Sequence, residues 1–127
     1  MCKRAIPIFR KQNDGMIINI SSMAGKRAVP RLVAYSASKF GILAISQSIA
    51  KENLDTNLKC ITICPAGINT RMRERLFGKQ DAIQQQSADF VADIICQTVN
   101  GTIKVDNGGD IIIRHGKVAA INPLPPA

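Results

Sequence analysis

Met16-Ile17-Ile18-Asn19-Ile20 runs straight into Ser21-Ser22-Met23-Ala24-Gly25, and the join between these two stretches decides the fold. The first five residues are apolar but for Asn19, a nearly continuous run that suits a strand in a sheet covered on both faces. Asn13-Asp14-Gly15 ahead of it is a turn signal. Behind it, Ser21 to Val33 reads as a loop punctuated by Gly25 and Pro30. Open α/β sheets build their sites at the carboxyl ends of strands, so hydroxyls placed at this join are candidates for chemistry.

Working outward, residues 34–54 have helical length and residue types. Ala37, Gly41, Ala44 and Ser48 recur at helical spacing and form a flat stripe that would let another backbone come close. Lys59 to Cys64 reads as a second strand, broken at Pro65-Ala66-Gly67, and residues 70–86 read as a polar, basic, irregular and mobile segment. Ser87 is a good N-cap for a helix with Val91, Ile94, Ile95 and Thr98 on one face, ending before Gly101. Gly108-Gly109 leads into a third strand, Asp110 to Ile113, which His115-Gly116 can turn into a short hairpin with Val118 to Ile121. Residues 2–12 are weakly helical with Pro7 interrupting, and the tail 122–127 is expected to be loose. Strand, helix, strand, helix, strand is the order of a parallel α/β sheet in one domain.

Composition narrows the function classes. The chain is 46% hydrophobic and 20% charged, values of a globular protein that argue against disorder or a fibrous repeat. No apolar run approaches the roughly 20 residues that span a bilayer, and Met1 to Pro7 lacks the apolar stretch of a secretory signal. The expectation is therefore a cytoplasmic protein. The net charge is +8, with seven basic side chains and one acid, Asp14, in residues 1–31, and a second cluster at Arg71, Arg73 and Arg75. With four Phe, one Tyr and no Trp, the chain lacks the aromatic platforms that accompany a nucleic-acid footprint. A solvated basic surface, or attraction of an anionic ligand such as a dinucleotide, accounts for the charge.

The cysteines Cys2, Cys60, Cys64 and Cys96 read as small buried thiols rather than a disulfide or a metal site. Cys60 and Cys64 sit four apart on one strand, about 13 Å at ~3.3 Å per residue, whereas a disulfide needs less than ~7 Å. The only histidine, His115, is far from them in sequence, so no zinc-ligand spacing exists.

Tyr35-Ser36-Ala37-Ser38-Lys39 sets a phenol and an ammonium four apart, on one face of a helix. A phenol is a poor base near neutrality, and a nearby cation favours its phenolate. Taken alone the pair is also what an ordinary helix surface carries. Ser22, however, lies thirteen residues before Tyr35, at the end of the first strand.

With that order and spacing the sequence resembles the short-chain dehydrogenase/reductase family from about residue 5 to residue 100. Asn19-Ile20-Ser21-Ser22 with Ala24-Gly25 is similar to the family's serine segment, and Tyr35 to Lys39 to its tyrosine segment. Pro65-Ala66-Gly67-Ile68-Asn69-Thr70 is similar to its proline-glycine segment, although Ala66 here separates Pro65 from Gly67. The resemblance implies the C-terminal half of a Rossmann-type doubly wound parallel sheet, three main strands with flanking helices. It also implies an oxidoreductase moving hydride between NAD or NADP and a small alcohol/carbonyl substrate. Tyr35 would exchange the proton, Lys39 would assist it and hold the nicotinamide ribose, and Ser22 would hydrogen-bond the substrate oxygen. Pro65, Gly67, Ile68 and Thr70 would shape and contact the nicotinamide site, and residues 71–86 would be the substrate loop. No metal, nucleic-acid or membrane partner is implied, and a full-length form would be a homo-oligomer.

The family's Gly-x-x-x-Gly-x-Gly phosphate loop occurs nowhere in the 127 residues. It belongs to a first half of about the same size, so the chain looks truncated and is expected to bind NADH or NADPH weakly or not at all. The first strand is then expected to be a sheet edge, paired only with 59–64. The alternatives are a catalytically inactive fragment, serving as an interaction or dimerisation module through helix 34–54, and a basic nucleic-acid-binding domain.

Overall fold

A computed structural model of the chain describes residues 1–126. A four-stranded sheet has the order β1-β2-β3-β4, with β1 Gly15–Ile20, β2 Leu58–Pro65, β3 Asp110–Arg114 and β4 Lys117–Asn122. The first three strands are parallel, Ile20 standing opposite Ile63 and Ile63 opposite Ile111, and β4 returns antiparallel to β3. As expected, β1 pairs only with β2 among the described residues. His115 (φ 52°) and Gly116 (φ 66°) make the hairpin turn in the left-handed region that such two-residue turns require.

Alternation along β2 builds two cores. Leu58 and Cys60 face one side with Ile49, where Cys2, Ile6, Phe9 and Ile17 close over them. Ile63 faces the other side with Val91, Ile94, Ile111 and Ile113. The first core is covered by α1 (Cys2–Gln12) and α2 (Val33–Lys51), the second by α5 (Ala88–Val99). Helices on both faces of a mostly parallel sheet make this the expected Rossmann-like arrangement.

Several local expectations need correction. Pro7 does not interrupt α1, which runs continuously through it. Proline removes one helical hydrogen bond, and the packing of Ile6 and Phe9 outweighs the loss. Helix α2 ends at Lys51 rather than 54, because the buried Asn53 turns its amide back to the Ile49 carbonyl at 2.6 Å. Pro65 is the last residue of β2, opposite Ile113, rather than its break. Residues 70–86 are not irregular. Thr70 caps α3 (Arg71–Phe77), α4 (Lys79–Ala82) follows, and Arg73 ties the two together through Asp81 at 2.6 Å and 3.1 Å. That guanidinium holds the Asp81 carboxyl below the usual carboxylate range. The tail 122–127 is expected to be loose, but Asn122 belongs to β4 and Leu124 lies against Gly108; Ala127 lies outside the described residues. The Ser87 cap is as expected, its hydroxyl accepting from Phe90 N at 3.1 Å.

An ion pair spans the two ends of the chain. Lys26 Nζ reaches the buried Asp110 at 2.8 Å, and Asn122 Nδ2 donates to the second carboxylate oxygen at 2.9 Å. Among the described residues no helix is long and apolar enough to cross a membrane, and no three His, Cys, Asp or Glu side chains gather as metal ligands.

All four cysteines are free thiols, but the burial expected of them holds only for Cys60 and Cys64 in β2; Cys2 is half-buried and Cys96 is exposed on α5. Burial pushes Cys60 up to about 11 and Cys64 up to about 12, the Asp110 charge adding to the effect at Cys64. In the native chain at mildly alkaline pH, iodoacetamide should therefore alkylate the exposed Cys96 and spare both strand cysteines until the protein unfolds. Because the folded values are raised, the stability these thiols contribute is complete below pH 9.0 and is lost as pH rises towards 11 and 12. Peptide mass spectrometry reads the labelling; Cys60 or Cys64 modified as fast as Cys96 would contradict the packing of β2.

Candidate functional site

Ser21 N donates to the Ile63 carbonyl at 2.8 Å, closing the β1–β2 ladder. Backbone groups alternate sides along a strand, so the carbonyl of Ile20, one residue earlier, points away from β2. Lys39 Nζ donates to it at 3.0 Å. The lysine is thereby fixed at the carboxyl end of β1, and an ammonium has three N–H groups, so two remain for a ligand.

Three contacts place α2 for this. Ser21 Oγ donates to the Lys39 carbonyl at 2.8 Å. Gly25 lies so close that a Cβ there would come within 2.6 Å of that same carbonyl oxygen and collide with Ser21 Oγ, so only glycine admits the approach. Further along, Asn19 Nδ2 donates to Ser46 Oγ at 2.9 Å. One turn before Lys39, the Tyr35 ring centroid lies 5.6 Å from Nζ, within cation–π range. Both side chains are half-buried.

Ser22 follows in extended backbone, and its Oγ accepts from Ala24 N at 3.1 Å to cap the 3₁₀ turn Met23–Gly25. The hydroxyl proton is left to donate elsewhere. Tyr35 and Lys39 thus stand together at the end of β1, and the backbone carries Ser22 out from that same end. A phenol beside a fixed ammonium can give or take a proton, since the cation favours the phenolate.

The other site residues lie at the end of the neighbouring strand. Pro65 is buried, and Ala66 N donates to the Ile113 carbonyl at 2.8 Å. Gly67 is pressed against the Gln85 side chain. Ile68 bridges to Gln86, Asn69 N donates to the Gln86 carbonyl at 2.9 Å, and Thr70 Oγ1 is spent on capping α3, accepting from Arg73 N at 3.2 Å. A cleft of about 320 Å³ lies here, lined by Ala66, Gly67, the three glutamines 84–86, His115 and Gly116. It does not include Ser22, Tyr35 or Lys39.

Two contributors went unread in the sequence. Ser21 is buried, and its hydroxyl ties the end of β1 to α2. Gln86 pins the hairpin to the Ile68 segment through Ile113 O and Gly116 N, both at 3.3 Å. Nothing in sequence order signals either contact. The stripe Ala37, Gly41, Ala44 and Ser48 faces outward, and a Cβ at Gly41 would meet nothing within 4 Å.

Residues 1–81 match the family model for short chain dehydrogenases. Among curated proteins, the chain is 34% identical over 94 residues to a dehydrogenase/reductase, SDR family member 6, from Xenopus laevis, covering 72% of this chain and 38% of that protein. Among solved structures, it superposes on 3-ketoacyl-(acyl-carrier-protein) reductase from Brucella melitensis complexed with NADH, with TM-score 0.77 and 18% identity, covering 89% of this chain and 50% of that one. ElxO with NADP bound gives TM-score 0.76 and 21% identity, covering 88% and 50% respectively. The chain spans well under half the length of that curated relative and about half of each structure.

Proposed function

Given that the chain belongs to the short-chain dehydrogenase/reductase family, we propose that it carries the proton-transfer apparatus of an NAD(P)-dependent oxidoreductase acting on a small alcohol/carbonyl pair. The observation that carries the reading is the Lys39 ammonium, fixed on the Ile20 carbonyl beside the Tyr35 ring. The nicotinamide cofactor supplies or accepts the hydride when bound. Tyr35 donates the proton to the carbonyl oxygen during reduction and withdraws it from the alcohol during oxidation. Lys39 stabilises the phenolate, and its remaining N–H groups would hold the ribose hydroxyls of the cofactor. Ser22 donates its hydroxyl proton to the substrate oxygen as charge develops there.

The residues present fit the nicotinamide and ribose end of a dinucleotide. Pro65, Gly67, Ile68 and Thr70 would hold its carboxamide end, and residues 71–86 would cover the substrate. They do not fit the pyrophosphate, which such folds seat on a glycine-rich turn at a helix N-terminus, and the 127 residues contain no such sequence. Affinity of this chain alone for NADH or NADPH should therefore be weak.

The test is oxidation of NADH and of NADPH, at cofactor concentrations high enough to offset weak binding, with a panel of ketones and aldehydes. Turnover that disappears in Tyr35→Phe supports the proposal. Turnover that survives that change would assign the proton to another group. No turnover at any cofactor concentration would favour the second reading, an interaction module, for which the outward small-residue face of α2 is the supporting observation.

A further inference from the structure

The cleft at the carboxyl ends of β2 and β3 has walls fixed by hydrogen bonds. Asn69 N donates to the Gln86 carbonyl at 2.9 Å, and the Gln86 side chain spans from the Ile113 carbonyl to Gly116 N, both at 3.3 Å. Gln85 Nε2 donates to the Asp81 carbonyl at 3.0 Å. A carboxamide has two N–H groups and an oxygen with two lone pairs, so both glutamines keep a donor and an acceptor beyond these bonds. Gln84 is exposed and brings a third amide to the same cleft. Arg114 Nε donates to His115 Nε2 at 3.1 Å, and an imidazole accepting there carries its proton on Nδ1, a further donor. No carboxylate, ammonium or guanidinium lines the cleft. The Arg73 guanidinium, which lies beside Gly67, is held by both oxygens of Asp81.

An ion seated among these groups would have no counter-charge, and an apolar group would strip water from the amides without replacing its bonds. A group that both gives and takes hydrogen bonds meets neither cost. We propose that this cleft binds the far end of the substrate, an uncharged polar group such as a carboxamide, while the carbonyl reacts at Tyr35. The inference rests on the oxidoreductase reading above and names the class of substrate for it. The end of β3 stands two strand spacings from the end of β1, about 10 Å at ~4.8 Å each. The polar group is therefore several bonds removed from the reacting carbon. The cleft holds about 320 Å³, small beside ligand sites of roughly 300–1,000 Å³, which suits one end of a molecule.

His115 is the chain's one histidine, so its imidazole proton NMR signal reports on the cleft without further assignment. The probes are three methyl ketones of equal length, ending in a carboxamide, a carboxylate or a methyl group, titrated without cofactor. The carboxamide should move the His115 signal along a saturable curve. The other two should bind at least about tenfold more weakly, the effect of a hydrogen bond left unmade. Gln84→Ala, at an exposed position, should weaken the carboxamide by about as much while the circular dichroism spectrum and melt stay native. A carboxylate bound as tightly overturns the proposal and points to Arg73 and Arg114 instead. A methyl-ended ketone bound as tightly overturns it too. So does a signal that no probe moves saturably, or a carboxamide preference that survives Gln84→Ala. Because no cofactor is present, selective binding without turnover would count against the oxidoreductase reading alone. Turnover that treats the three ketones alike would count against this subsite alone.

Discussion

Lys26→Met is expected to remove about 3–5 kcal/mol of folding stability, the cost of leaving a buried carboxylate without its partner. Asp110 is only 4% exposed, and its charge is met by Lys26 and by the amide of Asn122. Methionine keeps the length of the lysine stem but leaves the carboxylate with the amide alone. A domain of this size has about 5–15 kcal/mol in all, so the loss is a large fraction of the whole. The reverse change should hurt less. The Lys26 side chain is 28% exposed, so after Asp110→Asn the ammonium can turn into water rather than remain buried unpaired. The double variant Lys26→Met with Asp110→Leu should recover much of the loss, since an apolar pair often replaces a buried ion pair without net cost. Urea denaturation of the three variants measures this ordering. Equal losses near ~1 kcal/mol in both single variants would show the pair behaving as an exposed one.

That pair also marks where the sequence stops being informative. Lys26 and Asp110 lie 84 residues apart, and only the stacking of the 3₁₀ turn, β2 and β3 brings them together. The periodic elements were legible because period and burial agree. β2 alternates between two cores, α5 turns Val91, Ile94 and Thr98 inward, and His115-Gly116 has the chemistry of its turn. The edge position of β1 followed from the resemblance and from what these residues lack.

What failed was local signal overridden by distant contacts. Pro7 reads as a helix breaker until Ile6 and Phe9 find the β2 core. Helices α3 and α4 span seven and four residues, too short to show a period, and they owe their form to the Thr70 cap and the Arg73–Asp81 bond. Of the candidate site, the shared helix face of Tyr35 and Lys39 was legible from their spacing, and their selection as a site came from Ser22 and the resemblance. Ser21 was not legible, because the carbonyl it holds belongs to a residue 18 positions away.

Tyr35→Phe should lower kcat by about 10²–10⁴-fold, the range a positioned general acid contributes, in whatever form of the protein the oxidoreductase assay shows to be active. The change deletes one oxygen and leaves the ring in place over Lys39, 5.6 Å from the ammonium to the centroid. The lysine therefore keeps its bond to the Ile20 carbonyl and its remaining N–H groups, so cofactor affinity should stay near that of the unaltered protein. Lys39→Met should behave differently. It removes the cation that favours the phenolate and also the donors proposed for the ribose, so kcat and cofactor affinity should fall together. The contrast separates a proton donor from a group that both activates it and binds cofactor. Steady-state kinetics with fluorescence titration of NADH or NADPH reads both quantities. If Tyr35→Phe weakened cofactor binding as much as Lys39→Met does, the tyrosine would be a binding group, and the proton would have to come from elsewhere at the strand end. Ser22 is the next hydroxyl along the backbone there, and Ser22→Ala would then carry the larger loss of kcat.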